Sequence, residues 1–347
     1  MLALDLGATH IRTAVVEADG SIHARRHGRT PVEEGADAVI TAAFASLEHS
    51  RREHVAGGGA TPLALGISAP GPLDAVHGVV VDPPNLGRSF WGQPLGPRLG
   101  DMLGLPWAME RDTHVAILAE RAFGAGIGLT DLVYLTISTG IGGAIISNGR
   151  LMTGPDGVAG ELGHLTVDMD GPVCGCGGRG HLERLTSGTG IALSAREALA
   201  DPAQAPRAPE LARIVAEIAP RPLESRHVSQ AADAGDPVAA EIVLDARRAF
   251  AASVVSIVDV FNPQRVIVGG GIAMAWGDLL LQPARELVAS TAFRVQARRV
   301  EIVPAQLGDD VGLIGTVPLV ATALAASAPI EHGQGALRAP ALESAAG

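Results

Sequence analysis

Residues 2–16 read LALDLGATHIRTAVV. Leu2, Leu4 and Leu6 alternate with other residues, Gly7-Ala8-Thr9 breaks the pattern, and Ile11 to Val16 resume it. This predicts a strand, a tight turn and a second strand. Residues 133–147, VYLTISTGIGGAIIS, repeat the design, with Thr139-Gly140-Ile141-Gly142-Gly143 at the turn. Two such hairpins, one opening each half of the chain, point to a duplicated architecture. Further strands are predicted at 63–67, 79–81, 107–110, 165–167 and 266–268, and helices at 36–52, 114–122, 190–199, 237–259 and 277–289. Strands and helices thus alternate, as in an α/β protein. A last helix is expected from 312 to about 326. The tail, 327–347, is rich in Ala, Pro and Gly without periodicity and reads as disordered.

Composition narrows the function. The chain has 347 residues, room for about two domains, and 47% hydrophobic residues but only 3% aromatic ones, so its core is aliphatic. The formal charge of −11 argues against a nucleic-acid partner. All 26 basic residues are Arg. Without Lys there is no P-loop and no protein-kinase site, since both place a Lys on the phosphates. Nothing resembles a signal peptide and no apolar run approaches membrane-spanning length, so a cytoplasmic protein without a membrane partner is expected.

Asp5-Leu6-Gly7-Ala8-Thr9 offers a glycine whose backbone can approach a phosphate, a hydroxyl donor at Thr9, and a carboxylate that tolerates phosphate only with Mg²⁺ between them. Thr139, Gly140 and Gly142 would form a matching clamp. Either turn alone is equally an ordinary β-turn; their equivalent placement favours phosphate. Gly269-Gly270-Gly271 follow an apolar strand, and could lie against a flat ring or simply connect strand to helix.

The two cysteines, Cys174 and Cys176, are too close for a good disulfide. With His164 and His181 they make up two thiolates and two imidazoles, a closed tetrahedral zinc shell of the structural kind. Free buried thiols and surface histidines are the alternative. Residues 106–110 form a short apolar strand running into Arg111-Asp112-Thr113-His114 and an amphipathic helix. Asp112 stands where strand becomes helix, the edge at which α/β folds present their sites. It can be a general base or a helix N-cap.

Together these segments resemble the ROK family, named for repressors, open reading frames and kinases. The resemblance spans residues 2–316. It rests on Ala159-Gly160-Glu161-Leu162-Gly163-His164, the run from Cys174 to Glu183, Ser68-Ala69-Pro70-Gly71-Pro72 and Pro84-Asn85-Leu86. It implies a two-lobed, actin-like (RNase H-like) sugar kinase fold with the active-site cleft between lobes. The lobes would be 1–112, completed by the helix at 312–326, and 113–311. It implies Asp112 as catalytic base, with Gly71, Asn85, Arg111, Glu161, His164 and Glu183 at the sugar. Asp5, Gly7, Thr9, Thr139, Gly140 and Gly142 would take the phosphates of Mg-ATP, and Gly269, Gly270 and Gly271 its adenosine side. His164, Cys174, Cys176 and His181 would hold zinc.

The sequence departs from the family's pattern at Arg111 and His114, where Asn is usual, and at His181, which replaces a cysteine. The implied activity is ATP-dependent phosphorylation of a hexose at its 6-hydroxyl, with glucose favoured over an N-acetylhexosamine. A non-catalytic sugar sensor is the rival, but it would have no use for a phosphate clamp. Family repressors carry a DNA-binding segment ahead of the first hairpin, and that hairpin begins here at Leu2, so a kinase is expected. A homodimer or homotetramer is expected as well.

Overall fold

The computed structural model describes residues 1–83 and 85–327. The expected disordered tail beyond Ser327 lies outside the described residues, as does Pro84 of the Pro84-Asn85-Leu86 motif. Two sheets organise the chain. The first contains β1 (Leu2–Leu6), β2 (His10–Val16), β3 (Ile22–Arg29) and β4 (Leu65–Ala69). After a small ribbon of β5 (Leu73–Asp74) and β6 (Val79–Val80), β7 (Trp107–Arg111) completes it, in the order β3-β2-β1-β4-β7. The second sheet holds β8 (Leu132–Ile137), β9 (Ile141–Ser147), β10 (Arg150–Leu151), β11 (Arg265–Gly269) and β12 (Glu301–Pro304), in the order β10-β9-β8-β11-β12.

The two orders superimpose term by term. In each sheet a three-strand antiparallel meander leads into two parallel strands. This is the two-lobed, actin-like arrangement. The strands nearest the centre, β1, β4, β8 and β11, are almost wholly buried, which accounts for their near-continuous apolar runs. The helix Ala36–Ala56 packs on β1, β2 and β3, burying Val39, Ile40, Ala43 and Leu47. The helix Pro237–Phe261 is the main support of the second lobe, centred on Phe250, Val254, Ile257 and Val258. Asp236 caps its N-terminus through Val238 and Ala239 N–H.

Four sequence expectations need correction. Residues 165–167 are not a sheet strand; Leu165 and Val167 instead exchange backbone bonds with Leu182 and Gly180, tying this segment to the cysteine loop. The helix expected at 277–289 is Asp278–Thr291, preceded by a separate short helix, Gly271–Trp276. The last helix is divided at Gly315 into Val311–Ile314 and Thr316–Ser327. These lie in an apolar stretch, Gly308–Ala325, whose mean hydropathy is 1.3 over 18 residues, so a run of near-spanning length does exist. About a third of the stretch is buried within the fold. The stretch packs on the helix Asp112–Phe123 and on β4 and β7, with Leu313 wholly buried.

Candidate active site

Register places the first wall of the site. Asp5 on β1 sits beside Ser68 on β4, and Ser68 beside Glu110 on β7, so Arg111 and Asp112 emerge at the same sheet edge as the Asp5 turn. Asp5 accepts from Arg12 Nη1 at 3.0 Å and from Ser68 Oγ at 3.1 Å. Burial raises its carboxyl above the ordinary range, and the Arg12 charge opposes that rise. The turn is closed by Gly7 N–H to His10 O at 2.8 Å and by Thr30 Oγ1 to Gly7 O at 2.7 Å. Thr9 is exposed at its tip.

Asp112 is the first residue of its helix; Arg111, with extended φ and ψ, occupies the cap position and no side chain caps the helix. The capping alternative is therefore not what the structure contains. The Asp112 carboxylate accepts Thr113 N–H at 2.7 Å and is otherwise exposed. Protein mass surrounds it, yet water reaches it. That enclosure raises its carboxyl above the usual range; the Thr113 N–H opposes the rise and the Asp5 charge adds to it.

Arg111 turns the other way. Its buried side chain, 5% exposed, lies against Gly71 and reaches the loop at 157–161. There its guanidinium donates to Gly157 O and Ala159 O, both at 3.4 Å, and pairs with the Glu161 carboxylate. His114, wholly buried, pairs with Glu110 at 3.0 Å and donates from Nε2 to Ala159 O at 3.2 Å. His164 Nε2 lies 3.9 Å from the second Glu161 oxygen. The structure thus gathers Gly71, Arg111, Glu161 and His164 at one end of the cleft. Asn85 is exposed in the turn following β6.

The opposite side of the His164 ring faces the cysteines. His164 Nδ1 and His181 Nδ1 are 3.3 Å apart, and Cys176 Sγ is 3.2 Å from His181 Nδ1. Donor atoms of His164, Cys174, Cys176 and His181 all lie within 4.8 Å of one another. Two imidazole nitrogens on one tetrahedral zinc would be separated by about 3.3–3.4 Å, so the spacing fits. Gly178 is needed here, because a Cβ would stand 2.2 Å from the His181 ring. Burial pushes the Cys174 thiol up, a cost that a bound cation would offset. These four residues can hold a metal ion.

The second wall comes from the second sheet. The β8–β9 turn is fixed by Thr189, which donates from both N and Oγ1 to Thr139 O, and by Gly188 N–H to Ser138 O at 2.8 Å. Glu183 Oε2 accepts Ile141 N–H at 2.9 Å and lies against Gly140. Gly142 packs on Thr113, where a Cβ would come within 2.6 Å of a methyl group. Thr139, exposed, lines a cavity of about 1000 Å³ with Ser138, Gly188, Thr189, Gly271 and Trp276. Gly271 is the member of the glycine trio that lines it. Gly269 and Gly270 instead permit close packing on β8. Gly270 has φ +91°, and a Cβ there would lie 2.4 Å from Ile137 O.

The cavity's other residues escaped the sequence reading. Ser187-Gly188-Thr189-Gly190, a hydroxyl and glycine run at a helix start, was the available signal. A groove of about 740 Å³ lies beside it between the helices Pro237–Phe261 and Asp278–Thr291. It shares Arg247, Trp276 and Leu279 with the cavity but none of the turn residues.

The ROK family profile matches residues 1–323. The chain belongs to the ROK family. The glucokinase of Thermotoga maritima is 33% identical to this ROK protein over 322 residues, covering 92% of this chain and 96% of the relative. The N-acetylmannosamine kinase of Shigella flexneri is 32% identical over 323 residues, covering 92% and 97%. Among solved structures, a ROK hexokinase from Thermus thermophilus is similar with a TM-score of 0.75 and 31% identity, over 94% of this chain and 99% of the other. A ROK glucokinase from Streptomyces griseus, in complex with glucose and AMPPNP, is similar with a TM-score of 0.71 and 31% identity, over 92% and 98%.

Proposed function

We propose that this ROK protein is a sugar kinase that transfers the γ-phosphoryl group of ATP to the 6-hydroxyl of a hexose, glucose foremost. The reading rests on one observation above the others: Asp112 is exposed at the sheet edge that carries the Asp5 turn. The sugar lies among Gly71, Asn85, Glu161, His164 and Glu183, with Arg111 behind Glu161. Phosphates lie along Asp5, Gly7 and Thr9 on one side and Thr139, Gly140 and Gly142 on the other. The adenosine enters the cavity beside Gly271, which Gly269 and Gly270 hold in place.

Asp112 accepts the 6-hydroxyl proton as O6 bonds to the γ-phosphorus and the bond to the β-phosphate oxygen breaks, releasing ADP. Mg²⁺, held near Asp5 through the nucleotide and water, would supply charge neutralisation on the phosphates. Zinc on His164, Cys174, Cys176 and His181 would be structural, with all four positions filled. His164 Nδ1 faces His181, so a metal held there would leave its Nε2 free to face Glu161 and the sugar.

We place the lobes at 1–112 with 312–326, and at 113–311. N-acetylmannosamine is the second substrate to test, because a relative named for it matches with nearly the same identity as the glucokinases. The test is sugar-dependent ADP release across hexoses and N-acetylhexosamines. Release with one or more sugars supports the reading and names the substrate. Silence across the panel, with folded and metal-loaded protein, refutes it in favour of a sugar sensor.

A further inference from the structure

A cation next to the proposed catalytic base calls for a physical account. Arg111 could be a receptor for an anionic substrate, or its charge could already be spent. The geometry supports the second. The guanidinium is 5% exposed and engages two carbonyls and the Glu161 carboxylate, all on the loop at 157–161. His114 reaches the same loop at Ala159 O while anchored to Glu110. Glu110 also accepts the backbone N–H of Arg111 at 2.8 Å, so strand, helix start and loop form one connected network.

We infer that Arg111 and His114 are positioning residues for Glu161. They strap the loop at 157–161 onto the junction that carries Asp112, take up one Glu161 oxygen, and leave the other for a sugar hydroxyl. The inference rests on the proposed role of Glu161 at the sugar. The Arg111 charge is neutralised by Glu161, so Arg111 is not free to receive an anionic ligand. A charge-assisted bond of this kind is directional and fixes the carboxylate's rotamer. Without it Glu161, whose side chain is 43% exposed, would swing freely in water.

The test uses the full chain, as wild type, Arg111→Asn and Arg111→Lys. Two readouts are taken: steady-state kinetics with glucose, with and without glucuronate as a competitor, and amide hydrogen exchange across 157–161. Arg111→Asn should raise the glucose KM about tenfold, equivalent to about 1.4 kcal/mol, while kcat and the ATP KM change much less. Exchange across the loop should quicken in step, and Arg111→Lys, which keeps the charge but loses the fork, should fall between. Glucuronate, which has a carboxylate where glucose has its 6-hydroxyl, is used only as an anionic competitor and should not compete with glucose in the wild type. An unchanged glucose KM or unchanged loop exchange in Arg111→Asn overturns the inference. So does wild-type glucuronate binding that the Asn variant loses, which would make Arg111 an anion receptor. If the wild type phosphorylates no sugar, the kinase reading fails by itself, and loop exchange still decides the strap.

Discussion

Asp112→Asn separates chemistry from architecture. The amide has the carboxylate's shape, and its oxygen can still accept the Thr113 N–H that Asp112 now holds at 2.7 Å. The side chain is exposed in the cleft, so no buried pair is broken. The protein mass around it still raises its carboxyl, so a neutral group at this position removes a disfavoured charge. Stability should therefore be unchanged or slightly higher. Turnover should fall by about 10²–10⁴, the usual contribution of a positioned base. That is about 2.7–5.5 kcal/mol on the barrier. The assay is ADP release under saturating sugar and Mg-ATP, with sugar affinity measured separately by calorimetry. A loss in kcat with sugar affinity within about threefold of wild type fits the assignment. A variant that kept near-normal turnover would refute it, and a collapse of sugar binding would move Asp112 from proton transfer to substrate positioning.

The raised Asp112 carboxyl also fixes a pH dependence. The base acts when ionised, so kcat/KM should fall as pH drops through a value above the ordinary carboxylate value of about 3.9, and a limb at or below that value would contradict enclosure as the dominant influence on this carboxyl. For stability the sign is opposite: the folded state favours protonated Asp5 and Asp112, so these two groups cost stability as pH rises through their raised values, as acid and neutral melts of wild type and Asp112→Asn can show. Cys174→Ser should reduce bound zinc from about one ion per chain to near zero and raise the sugar KM through His164; full metal content by elemental analysis would exclude Cys174 as a ligand. Gly270→Ala should cost about 1–3 kcal/mol by calorimetric melting, because of its φ of +91° and the Ile137 carbonyl at 2.4 Å, whereas Gly271→Ala, with only Ser138 Oγ at 4.0 Å, should melt like wild type.

The hairpins at 2–16 and 133–147 were legible because both are buried, and burial imposes an apolar pattern that sequence displays. The matching sheet orders were legible only as a hint of duplication, since pairing partners are far apart in the chain. β3, IHARRHGR, went unread: it is an edge strand whose side chains are mostly exposed or half-exposed, so nothing required them to be apolar. Residues 165–167 misled for the converse reason. Their apolar side chains pack against the core while their backbone bonds go to the cysteine loop instead of a sheet. Four separated residues, His164, Cys174, Cys176 and His181, could be grouped in advance because few other fates suit that donor set. Arg111 could be singled out as a departure, but its partner Glu161 is 50 residues away and only the fold brings them together.

That pairing bears on how the two halves share the work. Asp5, Ser68 and Arg111 come from strands of the first sheet, whereas Thr139 and Gly271 come from the second lobe. The cavity beside Gly271 is lined by second-lobe residues, while Asp112 begins the helix that leaves the first sheet. Phosphoryl transfer therefore needs the two walls to meet across the β1–β2 and β8–β9 turns. At the sugar end they are already joined, through Arg111 to residues 157–161 and through Gly157, which lies against Leu73 of β5. Within the second lobe Thr113 packs tightly on Gly142 at the β8–β9 turn and leaves no room there for a side chain. Under the roles proposed above, the tie from Arg111 to residues 157–161 holds Glu161 in register with Asp112. A first lobe joined to the second only through flexible linkers would lose that register each time it opened.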